Sequence, residues 1–172
     1  MIHLRMTYLI TLVCMTATLA FAAAEDVAKH PSCKHCGMDR EKFSHSRVLI
    51  NFDDGSSSGL CSLRCAAVEL TLNIDKTPQT VMVGDYNSKM LIDAEKAFWV
   101  IGGSRKGVMT QTAKWAFAQN TDAENFIKEN GGSLANFDGA IKAAYADMYE
   151  DTKLIRERRK MKKQQHAEPK SM

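Results

Sequence analysis

Proline is scarce in this chain, 3 in 172 residues, and glycine is ordinary at 10. Collagen-like, proline-rich and wholly disordered architectures are thereby excluded. Charge of one sign is also lacking: 23 basic against 20 acidic residues leave a formal net charge of +3. Arg5 is the only charged residue among positions 1–24, so the remainder carries +2. A nucleic-acid binder shows a stronger basic footprint, and no nucleic acid is expected as a partner. The apolar stretch at positions 6–21 is about 16 residues, short of the ~20 that span a bilayer. No paired carboxylates or Ser/His/Asp grouping stand in a motif context, so a hydrolase has no support, and no acidic loop has the spacing that Mg or Ca requires. Cysteine is absent after position 65.

What is present is sulfur, as 10 Met and 5 Cys. Residues 1–24 read as a cleaved signal peptide: Arg5 in a short basic start, an apolar run, then Ala20-Phe21-Ala22 as the small-x-small pattern before Glu25-Asp26. Leu12-Val13 before Cys14 supplies no small residue, which argues against lipoprotein attachment. Export to the periplasm is the expectation, and about 148 residues remain. Cys14 leaves with the leader. Cys33, Cys36, Cys61 and Cys65 then meet an oxidising space, where one or two disulfides are the plain alternative to a site. Their crowding into the first third of the mature chain suits a site better than staples.

Cys33-Lys34-His35-Cys36-Gly37-Met38 is a C-x-x-C-G-M motif. Two intervening residues let a turn aim both thiolates at one centre, and Gly37 lets the backbone curl away. Cys61-Ser62-Leu63-Arg64-Cys65 places its pair four apart, on one face of a starting helix. A hairpin between the pairs brings them together. Four thiolates in a closed tetrahedron suit structural Zn(II); thiolate with thioether suits Cu(I), a soft ion that prefers polarisable sulfur. Met109 lies in a loop-like stretch where a buried filler is little needed, and His30 and His45 flank the cluster as ligands or, more commonly, solvated loop residues. A C-x-x-C thiol–disulfide enzyme is disfavoured because no strand precedes the motif.

The pattern predicts strands at 47–52 and 57–61, a helix capped by Ser62 over 63–73, closure at Thr77-Pro78 and a strand at 80–83. Strands at 97–101 and 114–118, a helix at 123–129 capped by Asn120-Thr121-Asp122, and a strand at 134–137 repeat that order. A long helix follows from Asp138 and ends in the basic run 156–163. That run reads as a solvated helix end, with an acidic partner or an anionic membrane surface as the sharper alternative. The fold class is α+β: two ββαβ units in tandem and a C-terminal helix. The boundaries are 1–24 for the signal peptide, 25–88 and 89–137 for the two units, and 138–172 for the helix and tail.

These residues together resemble the NosL family, accessory proteins for assembling the copper centres of nitrous oxide reductase. The resemblance rests on Cys33-x-x-Cys36-Gly37-Met38, Asp54-Gly55 before Leu60-Cys61-Ser62, and 81–85 as a strand ending in aspartate. It continues through 97–103 with Met109, 115–117, and Phe126 before Gly131-Gly132. Cys65 adds a pair that relatives commonly lack and that is similar to the metal-binding cysteines of TRASH-type modules. The resemblance implies a non-enzymatic protein that binds Cu(I), with zinc as the alternative, outside the cytoplasmic membrane. It implies a membrane transport complex and a client copper enzyme as partners. The ligand candidates, in order, are Cys36, Cys33, Met38, Met109, Cys61 and Cys65, followed by His35.

Overall fold

Val48, Ile50 and Phe52 alternate with less buried Leu49 and Asn51, a period of two that presents one apolar face. They form β1 (Val48–Phe52), which turns at Asp53-Asp54-Gly55 into β2 (Ser57–Leu60) with Val48 opposite Leu60. The computed structural model describes residues 25–167. The remaining elements are α1 (Leu63–Leu72), β3 (Pro78–Gly84), β4 (Leu91–Asp93), β5 (Phe98–Ile101), β6 (Lys114–Phe117), α2 (Asn120–Asn130), β7 (Ser133–Ala135), α3 (Phe137–Ala146) and α4 (Met148–Ala167). The leader reading at 1–24, Cys14 included, lies outside the described residues. Among those residues no helix is long and apolar enough to cross a membrane.

The first sheet has the antiparallel order β2-β1-β3-β4 and the second the order β6-β5-β7. Each half therefore places its first strand between the second and third, with a helix after the second strand. This is the expected α+β fold with a repeated ββαβ unit. Asp85 joins the halves. It forms a parallel bridge with Ala116, and its carboxylate accepts the N–H of Ala118 at 2.8 Å and of Ser88 at 2.6 Å. Tyr86 then packs among Trp115, Phe117 and Phe126, with ring centroids 5.0–5.5 Å away. Fully buried Ala66 and Ala67 on α1, and Ala140 and Ala144 on α3, have no bulk to hold the two helices apart where they pack.

Several boundaries differ from expectation. Pro78 does not close the first unit; it opens β3, where a missing N–H is tolerated. The three-residue β4 extends the first sheet and is too short to leave a periodic signal. Asn120 lies inside α2, whose N-cap is Gln119, and Asn136 rather than a strand residue caps α3 by accepting the N–H of Gly139 at 3.0 Å. The single long C-terminal helix is two. The chain breaks at Asp147, whose carboxylate is held by the buried ammonium of Lys114. Asp151 then accepts the N–H of Gln111 at 2.9 Å, and Arg64 donates to Thr152 Oγ1 at 2.7 Å. These contacts hold α4 against the loop that carries Met109.

The N-terminal turn at 25–29 is anchored by charge. Asp26 is buried between Arg40 (2.7 Å) and Arg47 (3.0 Å), both of them buried as well. Removing one partner of such a buried group leaves uncompensated charge and costs about 3–5 kcal/mol. Asp26→Ala should lower the unfolding free energy by that amount, read in urea as a lower midpoint at unchanged slope. A loss below about 1 kcal/mol would mean that this turn does not contribute to the fold.

Candidate metal centre

The C-x-x-C-G-M loop is a closed turn. The N–H of Cys33 donates to Met38 O at 2.8 Å and that of Gly37 to Cys33 O at 2.9 Å, while Ser32 and Asp39 bridge its base. Gly37 has φ +74°, a left-handed conformation that a side chain would strain. The loop lies directly on β2. Lys34 N–H donates to Gly59 O, and a Cβ on Gly59 would come within 2.3 Å of His30 Cβ. Arg40 locks this arrangement, donating from Nε to Leu60 O at 3.1 Å and from its terminal nitrogens to His30 O and Val48 O.

Cys61 follows the end of β2, and Cys65 sits in the first turn of α1. Ser62 occupies the N-cap position in extended conformation, but its hydroxyl makes no capping bond; it lies 3.8 Å from Cys61 Sγ. All four sulfurs lie within 4.8 Å of one another and are free thiols. Cys36 is 3.4 Å from Cys61 and 4.0 Å from Cys65, and Cys61 is 3.7 Å from Cys65. A tetrahedron with metal–sulfur bonds of about 2.3 Å has edges of about 3.8 Å. The donor set has the spacing of a single soft ion.

The four thiols do not share charge equally. Contact with Cys36, then with Cys61 and Cys65, holds Cys33 far below the ordinary thiol range. Cys36 is pushed up by Cys33, but donation from Cys61 and Cys65 outweighs this and brings it to about 7. Cys61 and Cys65 are both raised, first by the thiolate of Cys33 and then by that of Cys36. The loop therefore supplies thiolates, and the β2–α1 junction supplies S–H groups that bridge them. A metal ion bound here would replace those bridging protons, so binding would release acid.

Cys36 also opens onto a cavity of about 560 Å³, lined by Met38, Met109, Phe43 and His45 and flanked by Lys106, Arg158, Arg159 and Lys162. Met109 has φ +60°, unusual for a residue with a side chain, in the turn that faces this cavity. Such strain persists where surrounding contacts enforce it, and it occurs most often at functional positions. His45 lies against Trp115 with ring centroids 5.5 Å apart, and its pKa is lowered mainly by burial and secondarily by Lys89. Its imidazole is neutral near pH 7 and offers a nitrogen lone pair.

The structure thus brings Cys33, Cys36, Cys61 and Cys65 together and places Met38 and Met109 in one cavity with Cys36. His35 is directed elsewhere. Its Nε2 lies 2.7 Å from Glu69 Oε2, without hydrogen-bond alignment. Buried Glu69 also receives Lys34 Nζ at 2.8 Å and Ser58 Oγ at 2.6 Å. Burial pushes the Glu69 carboxyl up, but these donors outweigh it and keep the group ionised. Both variable positions of the C-x-x-C are thereby tied to α1. Sequence reading gave no weight to Glu69, although an acid four residues after Cys65 on an otherwise apolar face was a signal. His45, which the sequence sets beside the cysteines as a ligand or a solvated loop residue, stands in the cavity wall.

The NosL family model matches residues 24–146, ending just before α4. The crystal structure of the copper chaperone NosL from Shewanella denitrificans is similar to this chain with a TM-score of 0.53 and 28% identity, over 62% of this chain and 87% of that one. No curated protein matches the chain.

The uneven thiols have a measurable signature. Cys36 is the only one of the four that is not buried. Iodoacetamide applied to reduced, metal-free protein should label Cys36 first. Its thiolate is present above its depressed pKa and lost as pH falls through it, so the half-maximal rate lies near pH 7. A midpoint near the ordinary value of 9.0, or prior labelling of Cys61, contradicts this charge distribution.

Proposed function

The chain belongs to the NosL family, and from that premise we propose that it is a non-enzymatic Cu(I) carrier, exported by its leader to the periplasm. There it delivers copper for the assembly of a copper enzyme such as nitrous oxide reductase. The observation that carries this reading is the shared cavity of Cys36, Met38 and Met109 beside three further thiols. Thioethers bind Cu(I) without deprotonation and form no disulfides, which suits an oxidising compartment. A half-open donor set lets an incoming ligand attack before the outgoing one leaves. An ion held by Cys36 can be approached from the cavity, whereas Cys33, Cys61 and Cys65 are buried behind it.

A second reading, a zinc-type tetrahedral site, is favoured by the sulfur spacing of 3.4–4.0 Å and by the burial of those three cysteines. The two readings differ in whether thioether enters the coordination sphere. Copper-edge X-ray absorption on loaded, reduced protein reports the ligands, and metal analysis after anaerobic purification reports any zinc that does not exchange.

Mutations separate the roles further. Outer-shell partners of metal sites are worth about 10–100-fold in affinity, so loss of direct donors costs at least as much. Cys33→Ser with Cys36→Ser should weaken Cu(I) binding about 100-fold or more in chelator competition. Met109→Leu, which keeps the bulk and removes the sulfur, should weaken it about 10-fold while leaving the unfolding midpoint unchanged. Affinity that survives the double cysteine variant would reject the assigned site.

A further inference from the structure

The basic helix α4 lies beyond the family-matched stretch, and its placement is not that of a free tail. Its first turns are fixed by Asp151 on Gln111 N–H and by Arg64 on Thr152, with Lys114 gripping Asp147 just before it. Ile155, Arg158, Arg159 and Lys162 recur at helical spacing and line the Cys36–Met38–Met109 cavity, with Lys106 contributed by the Met109 loop. Among the described residues none of these four cations is within ion-pair distance of an acidic side chain, although seven ion pairs form elsewhere. All four are exposed.

We propose that this cationic rim is the docking surface for the protein that receives the copper, which presents a cluster of Asp and Glu side chains around its own metal-accepting group. This rests on the carrier function proposed above and adds the chemistry of the partner. Charge complementarity identifies the partner class: an acidic surface neutralises Lys106, Arg158, Arg159 and Lys162 and brings its acceptor ligand over Cys36. Such complementarity acts chiefly on encounter rate and orientation, as a transient hand-over requires. An anionic membrane fits less well. From 156 to 166 the only apolar residue is Met161, so α4 has no apolar face to insert.

The test uses two peptides with the same Met-rich Cu(I)-accepting core, one flanked by Glu and the other by Gln. Fluorescence anisotropy with the metal-free protein at low salt should show about 10-fold tighter binding of the Glu peptide, a preference that shrinks as salt rises. Cu(I) transfer from loaded protein to the Glu peptide should be faster by a similar factor. Arg158→Glu with Arg159→Glu and Lys162→Glu should abolish both preferences. Arg156→Glu with Lys160→Glu and Lys163→Glu, on another face of the same helix, should leave them within about 3-fold. Equal losses in the two variants, or no preference in the unmodified protein, overturn the proposal. Binding to phosphatidylglycerol vesicles that the first variant loses, with no preference between peptides, assigns the rim to membrane and overturns it too. Anisotropy needs no copper, so a protein that fails to bind Cu(I) refutes the carrier reading while the docking surface is still decided.

Discussion

The buried guanidinium of Arg40 holds the candidate metal centre together. Its donors reach the carbonyls of Asp26, His30, Val48 and Leu60 and the carboxylate of Asp26. Leu60 immediately precedes Cys61, and Arg40 follows Met38 by two residues, so one side chain registers the sulfur-bearing loop against the hairpin. The same group sets local charge. Arg40 and Arg47 share the carboxylate of Asp26. Burial lowers the Arg40 pKa, and Asp26 and, to a smaller degree, Cys33 counter it.

The two kinds of sulfur divide the chemistry. Cysteines tied to backbone on three sides, by the loop, by the end of β2 and by α1, set the spacing of the donor atoms and cannot move far without breaking the turn. The thioethers of Met38 and Met109 stand in the cavity wall, where unbranched side chains can change rotamer at low cost. For the proposed carrier, affinity would reside mainly in the thiolates, and exchange in the methionines and in the partly exposed Cys36. Left-handed strain at Met109 fits this division, because it fixes where the backbone presents a flexible donor.

Local chemistry made part of this legible. The alternation of Val48, Ile50 and Phe52, the Asp-Asp-Gly turn and the two cysteine spacings are short-range patterns, and each maps onto β1, the hairpin and the thiol cluster. The repeated ββαβ order was readable because both halves use the same succession of apolar runs and turns. What stayed hidden depends on partners far apart in sequence. Lys114 pairs with Asp147 where the helix is interrupted, Gln111 and Arg64 hold the start of α4, and Glu69 takes His35. Periodicity carries none of that information, so a continuous helix and a histidine ligand were the readings that local pattern favoured.

The two repeats show how one supersecondary unit takes on different work. In each, the second strand of the hairpin runs into a helix, and that junction exposes backbone groups and the first helical turn. At the β2–α1 junction the positions hold Cys61 and Cys65, which face the cysteine loop. At the β6–α2 junction the corresponding stretch has no sulfur, and the N–H of Ala118 is taken by Asp85 from the first half. One junction carries the clustered thiols and the other binds its sister unit. The second half thereby positions the Met109 loop and Trp115 against His45, completing a cavity that the cysteine-bearing half cannot enclose alone.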